Sequence, residues 1–123
     1  LWGVAFKANT DDIRETPAID TVVALHEAGA RVRFHDPAAA DHFEQYMTKK
    51  GIPTDQFENK YDALNGADGL LVMTEWKQYR APDFEEIKSR LKTPVIFDGR
   101  NLYNTKKVLE QGFEYYAIGK AIK

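Results

Sequence analysis

Cysteine is absent from this 123-residue chain. Disulfides, thiolate metal ligands and a cysteine nucleophile are therefore excluded within these residues. An excess of positive charge is absent too, since the formal net charge is −2, whereas a nucleic-acid surface requires a clearly basic balance. No apolar run reaches membrane-spanning length, and no signal peptide is recognisable. We therefore expect neither a nucleic-acid partner nor a membrane partner.

The residues that are present are typical of one globular domain. Hydrophobic residues make up 43% of the chain and charged residues 29%, which is ordinary for a folded protein of this length. The chain opens directly in an apolar run and without a methionine. We therefore expect residues 1–123 to be one domain of a longer protein.

Short apolar runs alternate with amphipathic segments along the whole chain. The patterns predict strands at residues 1–6, 31–35, 57–60, 69–74, 94–97 and 113–118, and helices at residues 18–30, 38–50, 61–65, 83–92 and 105–110. This alternation predicts an α/β fold, namely a Rossmann-like, doubly wound parallel sheet of five or six strands with helices on both faces. We expect the first strand to lie in the centre of the sheet.

The first strand-to-helix loop, residues 6–17, contains no glycine. Loops in this place commonly bind phosphate through glycines and exposed backbone N–H groups. This loop instead carries two cations, Lys7 and Arg14, together with three acidic side chains: Asp11, Asp12 and Glu15. Any anion bound here would therefore meet charged side chains rather than bare backbone.

A further cation, Arg100, follows a later predicted strand. Because the carboxyl ends of parallel strands meet at one edge of a sheet, we expect Lys7 and Arg100 to converge there. Two cations in that place suit an anionic ligand such as a phosphate or pyrophosphate. The alternative is that Lys7 is simply solvated and that residues 98–100 form a turn whose arginine pairs with Glu75 or Asp12.

Metal chemistry is not favoured by the sequence. No histidine stands at ligand spacing to a carboxylate, and the pair Asp11-Asp12 also suits the positive N-terminal end of a helix. His26 is predicted to pack on the inner face of the first helix, whereas His35 and His42 have no evident partner. We expect no metal site.

Two other protein classes compete with a domain that binds an anion at this edge of the sheet. A receiver domain would have an acidic pair directly after the first strand and a lysine after a late one. Here Asp11 and Asp12 lie well past the strand end, and the late loop offers Arg100. A non-catalytic, nucleotide-sensing Rossmann domain would want a glycine fingerprint after the first strand, and none is present.

Four motifs carry a resemblance that covers essentially the whole chain. The motifs are Gly3 to Pro17, His35-Asp36-Pro37, Thr74-Glu75-Trp76, and Phe97-Asp98-Gly99-Arg100-Asn101-Leu102-Tyr103. With them the sequence resembles the C-terminal, UDP-binding domain of the UDP-glucose/GDP-mannose dehydrogenase family, and it is most similar to the members that act on UDP-glucose. Members acting on UDP-N-acetylmannosamine or GDP-mannose share the loop pattern but look less similar around residues 98–103.

This resemblance implies a role for four residues. Phe6, Lys7 and Arg100 match residues that contact the UDP-sugar, and Arg14 matches an arginine beside NAD+. The implied reaction oxidises UDP-glucose to UDP-glucuronate in two steps and uses two NAD+. The catalytic cysteine and the glycine-rich NAD+ loop belong to N-terminal and central parts of the family that are missing from this chain.

Further expectations follow from the same resemblance. NAD should be bound mainly by the missing N-terminal domain, so the isolated chain should be inactive and contains no catalytic residue. The full-length protein is expected to be a cytoplasmic homo-oligomer, and the isolated chain a monomer.

Overall fold

A computed structural model of the chain describes residues 1–117. Within these residues it contains five short strands and five helices, and a helix, two consecutive helices or a 3₁₀ turn lies between each strand and the next. The strands are β1 (Val32–Phe34), β2 (Thr54–Gln56), β3 (Leu70–Val72), β4 (Val95–Asp98) and β5 (Glu114–Ala117). The helices are α1 (Pro17–Glu27), α2 (Ala40–Lys49), α3 (Lys77–Arg80), α4 (Phe84–Arg90) and α5 (Thr105–Glu110), with a 3₁₀ turn at Asp62–Leu64.

All strand pairs are parallel, and residues 1–3 connect two groups of strands. β1 pairs with β2, and β4 lies between β3 and β5. Trp2 forms a parallel bridge to His35 on one side and to Val72 on the other. The resulting order is β2, β1, residues 1–3, β3, β4, β5. This order confirms the predicted Rossmann-like fold with the beginning of the chain at its centre.

Side chains that accept backbone N–H groups begin three of the helices. The hydroxyl of Thr16 accepts from Ala18 in front of α1, where Pro17 occupies the first turn. The carboxylate of Asp83 and the amide oxygen of Asn104 do the same for α4 and α5. Such caps satisfy N–H groups that have no partner within the helix, and each is worth about 1 kcal/mol.

The sheet separates two hydrophobic clusters, because alternate residues of a strand face opposite sides. One cluster is built from α1, α2 and the strands that they cover; its largest members are Phe34, Phe43 and Met47. The other lies under α3, α4 and α5 and contains Trp2, which stacks on Tyr79 with ring centroids 5.1 Å apart. Helices therefore cover both faces, as a doubly wound sheet requires.

Several elements differ from prediction. The first predicted strand, residues 1–6, is present only as the parallel bridges of Trp2, because Val4 and Ala5 donate to Asp36 and not to a neighbouring strand. The predicted helix at residues 61–65 is the 3₁₀ turn at Asp62–Leu64. β2 lies at Thr54–Gln56 instead of residues 57–60, because this edge strand is specified by its ladder to β1 and contains no apolar residue. The short helix α3 was not predicted. The last predicted strand is observed at Glu114–Ala117, and its residue 118 lies outside the described residues.

The three histidines also differ from prediction. His26 is exposed on α1, not packed on its inner face. His35 is buried, and its Nδ1 lies 2.7 Å from the hydroxyl oxygen of Tyr79. His42 lies 3.7 Å from a carboxylate oxygen of Asp11. The latter two partners are distant in sequence, which is why the pattern did not reveal them.

Candidate functional site at the carboxyl edge of the sheet

Four loops meet where the parallel strands end. They follow residues 1–3, β1, β3 and β4, and all four contain one of the motifs identified in the sequence. The carboxyl edge of an open α/β sheet is where such folds bind ligands. Lys7 follows residues 1–3 and Arg100 follows β4, and only β3 lies between these two segments of the sheet. The predicted placement of both cations on one edge is therefore confirmed.

The buried carboxylate of Asp36 connects three of these loops. Its Oδ2 accepts hydrogen bonds from the backbone of Val4 at 2.8 Å and Ala5 at 3.1 Å, and from the indole of Trp76 at 3.2 Å. Its Oδ1 accepts from two further N–H groups, those of residues 38 and 39, at the beginning of the next helix. A buried carboxylate with five donors is fully compensated, so its role is to hold the edge together.

The loop after residues 1–3 folds back upon itself. The backbone N–H of Phe6 donates to the carbonyl of Asp12 at 2.7 Å. The hydroxyls of Thr16 and Thr74 both donate to the carbonyl of Ala5 at 3.2 Å. Asn9 and Glu15 adopt left-handed backbone conformations, with φ of 64° and 59°. Side-chain and backbone bonds thus shape this loop without the glycines of a phosphate-binding loop.

Phe6 and Lys7 are exposed at the tip of this loop. Phe6 is 42% exposed, and because its N–H is already bonded, only its ring and its carbonyl remain for a ligand. The ammonium of Lys7 makes no hydrogen bond or ion pair with any of residues 1–117. Lys7 is therefore available to an anion.

Arg100 is already paired, with the carboxylate of Glu75. Its Nε donates to Oε2 of Glu75 at 2.9 Å, and its Nη2 donates to the same oxygen. The other oxygen of Glu75 accepts from the backbone N–H of Ala8 at 3.0 Å. Burial alone would raise the pKa of Glu75, but the bonds from Ala8 and Arg100 outweigh it, and this pKa lies below its ordinary value. Glu75 therefore joins the Lys7 loop to Arg100.

The turn that carries Arg100 is built on a second buried carboxylate. Oδ1 of Asp98 accepts from the backbone of Arg100 at 2.9 Å. Its Oδ2 accepts from Leu102 at 2.8 Å, from Tyr103 at 3.1 Å and from the hydroxyl of Tyr115 at 2.6 Å. The turn at residues 98–100 and the pair of Arg100 with Glu75 are the ones that the alternative interpretation of the sequence predicted. Arg100 nevertheless keeps a free donor, because its Nη1 has no partner among the described residues.

Arg14 lies apart from this pair. Its Nε and Nη2 both contact the carboxylate of Asp12, at 2.9 to 3.2 Å. Hydrogen bonds from the side chain and backbone of Arg14 lower the pKa of Asp12 to about 2. The guanidinium stands 87% exposed at an open hollow of about 570 Å³, which His42 and Lys49 of α2 also line. Glu75 thus connects the backbone beside Lys7 to Arg100, whereas Arg14 lies beside α2.

The sequence predicted no role for Asp36, and for Glu75 it offered only the alternative of a pair with Arg100, without the bond to Ala8. Both stand inside motifs that were noticed, His35-Asp36-Pro37 and Thr74-Glu75-Trp76. A carboxylate directly after a predicted strand was the available signal, because it lies where the loops meet. Within residues 1–117, no three or more His, Cys, Asp or Glu side chains come together as a metal ion would need. No helix of that part is long and apolar enough to span a membrane.

Comparisons with known proteins agree with this architecture. Residues 1–105 match the sequence profile of the UDP-glucose/GDP-mannose dehydrogenase family, UDP binding domain. The chain is 43% identical to UDP-glucose 6-dehydrogenase of Pseudomonas aeruginosa, over 98% of this chain and 27% of that protein. It is 32% identical to UDP-glucose 6-dehydrogenase 2 of Arabidopsis thaliana, over 99% of this chain and 29% of that protein.

Solved structures show the same fold. A UDP-glucose dehydrogenase from Pyrobaculum islandicum superposes with a TM-score of 0.76 at 31% identity, over 98% of this chain and 24% of that one. A UDP-D-ManNAc dehydrogenase from Pyrococcus horikoshii gives a TM-score of 0.75 at 25% identity, over 96% of this chain and 24% of that one. The chain thus spans about a quarter of the length of these relatives. It belongs to the UDP-glucose/GDP-mannose dehydrogenase family and corresponds to that family's UDP-binding domain.

Proposed function

We propose that this domain binds the nucleotide end of UDP-glucose in an NAD-dependent dehydrogenase that oxidises UDP-glucose to UDP-glucuronate. One observation carries the proposal: Lys7 and Arg100, from loops far apart in sequence, stand at the same sheet edge with donors to spare. The relatives named above give that anion-binding edge its substrate class, since two of them are UDP-glucose 6-dehydrogenases.

The two cations suit the pyrophosphate in different ways. The ammonium of Lys7 is a mobile point charge, whereas the guanidinium of Arg100 is a planar fork that Glu75 holds by one edge. The free Nη1 can donate to a phosphate oxygen without breaking that pair. Phe6 adds an exposed ring and a carbonyl beside Lys7.

Oxidation of the sugar leaves the pyrophosphate unchanged, so these residues act as anchors. Binding energy from a remote group helps the chemical step only by orienting the reacting carbon. None of the four residues Phe6, Lys7, Arg14 or Arg100 is therefore catalytic. The nucleophilic thiol that the family resemblance implies must come from elsewhere in the full-length protein, since the chain contains no cysteine.

Arg14 fits a place beside the second ligand, NAD. NAD+ supplies the hydride acceptor when it is bound. Asp12 holds two nitrogens of the Arg14 guanidinium and leaves Nη1 free, at the hollow that two further basic side chains line. No glycine-rich loop follows residues 1–3, so most of the NAD site lies in the remainder of the protein. We assign residues 1–123 to the C-terminal domain, preceded by NAD-binding and central helical parts.

Steady-state kinetics of the full-length protein test this function. We expect NADH formation from UDP-glucose with two NADH per sugar, and weaker or no turnover of UDP-N-acetylmannosamine and GDP-mannose. Similarity to the UDP-D-ManNAc dehydrogenase of Pyrococcus horikoshii makes UDP-N-acetylmannosamine the main alternative substrate. Turnover of that substrate but not of UDP-glucose would overturn the choice of sugar and keep the dehydrogenase.

A non-catalytic nucleotide sensor remains as a different class of function. It predicts binding of UDP-glucose or NAD+ by the full-length protein without any NADH formation. The cytoplasmic location and homo-oligomeric state of the full-length protein are also part of the proposal, and size-exclusion chromatography with light scattering checks the latter.

A further inference from the structure

Glu75 stands between the two cations of the proposed nucleotide site. Oε1 accepts the backbone N–H of Ala8, the residue after Lys7, at 3.0 Å, and Oε2 accepts two nitrogens of Arg100. These partners are far apart in the sequence and come from the loops after residues 1–3 and after β4. One carboxylate therefore sets the position of one loop relative to the other.

This pair differs from an ordinary surface ion pair. The side chains of Glu75 and Arg100 are only 24% and 34% exposed, whereas those of the bidentate pair Arg31–Asp55 are 60% and 44% exposed. Asp55 contacts a single partner side chain on the edge strand β2. Exposed pairs of that kind contribute little, because water already solvates both charges.

The contacts of Glu75 also determine which donors stay available. With Nε and Nη2 of Arg100 directed at Oε2, the remaining Nη1 is the donor that a ligand can reach. The bond to Ala8 holds the backbone next to Lys7, whose ammonium has no partner among residues 1–117. Holding both loops before the ligand arrives removes part of the entropy that binding would otherwise cost.

We propose that Glu75 is a positioning residue for the sugar nucleotide: it holds the Lys7 loop and the Arg100 guanidinium at the separation that a pyrophosphate bridges. It acts through Lys7 and Arg100 and does not itself contact the anion, which would repel its carboxylate. This inference rests on the proposed function, because it requires the nucleotide to bind at this edge.

Calorimetric titration of the full-length protein with UDP-glucose and with NAD+ tests the proposal. Glu75→Ala removes both contacts, and we expect UDP-glucose affinity to fall about tenfold or more, as for lost bonds to charged groups. Glu75→Gln keeps an acceptor for Ala8 but presents no charge to Arg100, so its loss should be smaller. NAD+ affinity should stay the same in both variants, and Asp55→Ala, the exposed-pair control, should leave both affinities unchanged.

A double-mutant cycle separates positioning from general stability. In the Arg100→Ala background, Glu75→Gln should cost no further affinity, because its effect passes through Arg100. In steady-state kinetics, KM for UDP-glucose should rise in Glu75→Ala while kcat changes little.

Three results would overturn the inference. Wild-type affinity in a Glu75→Ala protein that melts at a lower temperature would make the residue merely structural. Tighter binding in Glu75→Ala or Glu75→Gln would show that Glu75 competes with the ligand for Arg100. Failure of the wild-type protein to bind UDP-glucose at all would overturn the proposed function, and the positioning role with it. If Glu75→Ala does not fold, the near-isosteric Glu75→Gln and the cycle decide alone.

Discussion

At the scale of single residues, the charged side chains at the carboxyl edge fall into two groups: carboxylates with several hydrogen-bond partners, and cations that keep free donors. Asp36 and Asp98 are buried and accept several hydrogen bonds each, so they support structure. Lys7 is exposed and has no partner within residues 1–117, and Arg100 keeps one free nitrogen. A cation without a partner binds a ligand at a lower free-energy cost than a paired one, because no existing hydrogen bond must break.

We expect Lys7→Ala and Arg100→Ala in the full-length protein to weaken UDP-glucose binding about ten- to a hundredfold each, the worth of a charge-assisted hydrogen bond. Arg100→Lys should recover only part of the loss, since a point charge cannot replace the planar fork. Arg14→Ala should weaken NAD+ binding first. Titration calorimetry with both ligands checks all four variants. Wild-type UDP-glucose affinity in Arg100→Ala, together with a lower melting temperature, would make Arg100 structural.

Stability should also depend on pH through His35. Burial lowers the pKa of His35 below the ordinary histidine value of about 6.5, more than the neighbouring Asp36 raises it. Between the lowered pKa of His35 in the folded chain and about pH 6.5, the unfolded chain therefore holds a proton that the folded chain lacks, so the free energy of unfolding decreases as the pH falls through this window. Urea unfolding of the 123-residue chain measures the slope.

His35→Gln should flatten the slope near neutral pH, and His26→Gln should not, because His26 is exposed on α1. An unchanged slope in His35→Gln would show that another group is responsible. Tyr79 also faces His35 and donates its hydroxyl to the carbonyl of the same residue at 2.9 Å. Burial raises the pKa of Tyr79, so it stays neutral throughout this range.

At the scale of elements, residues 1–3 closely approach Thr74, which follows β3. Gly3 has φ of 93°, and a Cβ placed there would lie 2.5 Å from the side chain of Thr74. Gly29, at the end of α1, has the same φ of 93° but nothing within 4 Å of its virtual Cβ. The two glycines therefore separate the cost of backbone conformation from the cost of a steric clash.

We expect Gly29→Ala to lower the free energy of unfolding by about 1–2 kcal/mol, from the positive φ alone. Gly3→Ala should lose about 1–3 kcal/mol more, because the methyl group collides with Thr74 in a packed interior. Urea unfolding of both variants of the 123-residue chain gives the comparison. Equal losses of unfolding free energy in the two variants would show that residues 1–3 relax away from Thr74.

At the scale of the whole molecule, this chain spans only about a quarter of the length of its relatives. The relatives are about four times as long as the matched region, since it covers 27% of the Pseudomonas aeruginosa protein. We expect the purified 123-residue chain to form no NADH from UDP-glucose, because it has neither a thiol nor a glycine-rich loop for NAD+. Direct measurement of NADH absorbance, without a coupling enzyme, checks this, with the full-length protein as positive control. Turnover by the isolated chain would contradict the division of labour proposed above.

Much of this molecule was determined by local sequence. The alternation of apolar and amphipathic segments predicted the parallel sheet, because periodicity reflects which face of an element is buried. The helix predicted from residue 18 begins at Pro17, and the helix predicted at residues 105–110 is observed at Thr105–Glu110. The motif around Lys7 and the motif around Arg100 identified the family, which the sequence comparisons confirmed.

Tertiary structure alone decided how these parts meet. β2 was misplaced because an edge strand is specified by its partner, not by its own residues. The partners of Asp36 and His35, and the Ala8 partner of Glu75, lie far away in the chain, and a hydrogen bond between distant residues leaves no periodic trace in the sequence. The sequence therefore determined which cations the domain carries, while the folded sheet decided that one carboxylate holds two of their loops together.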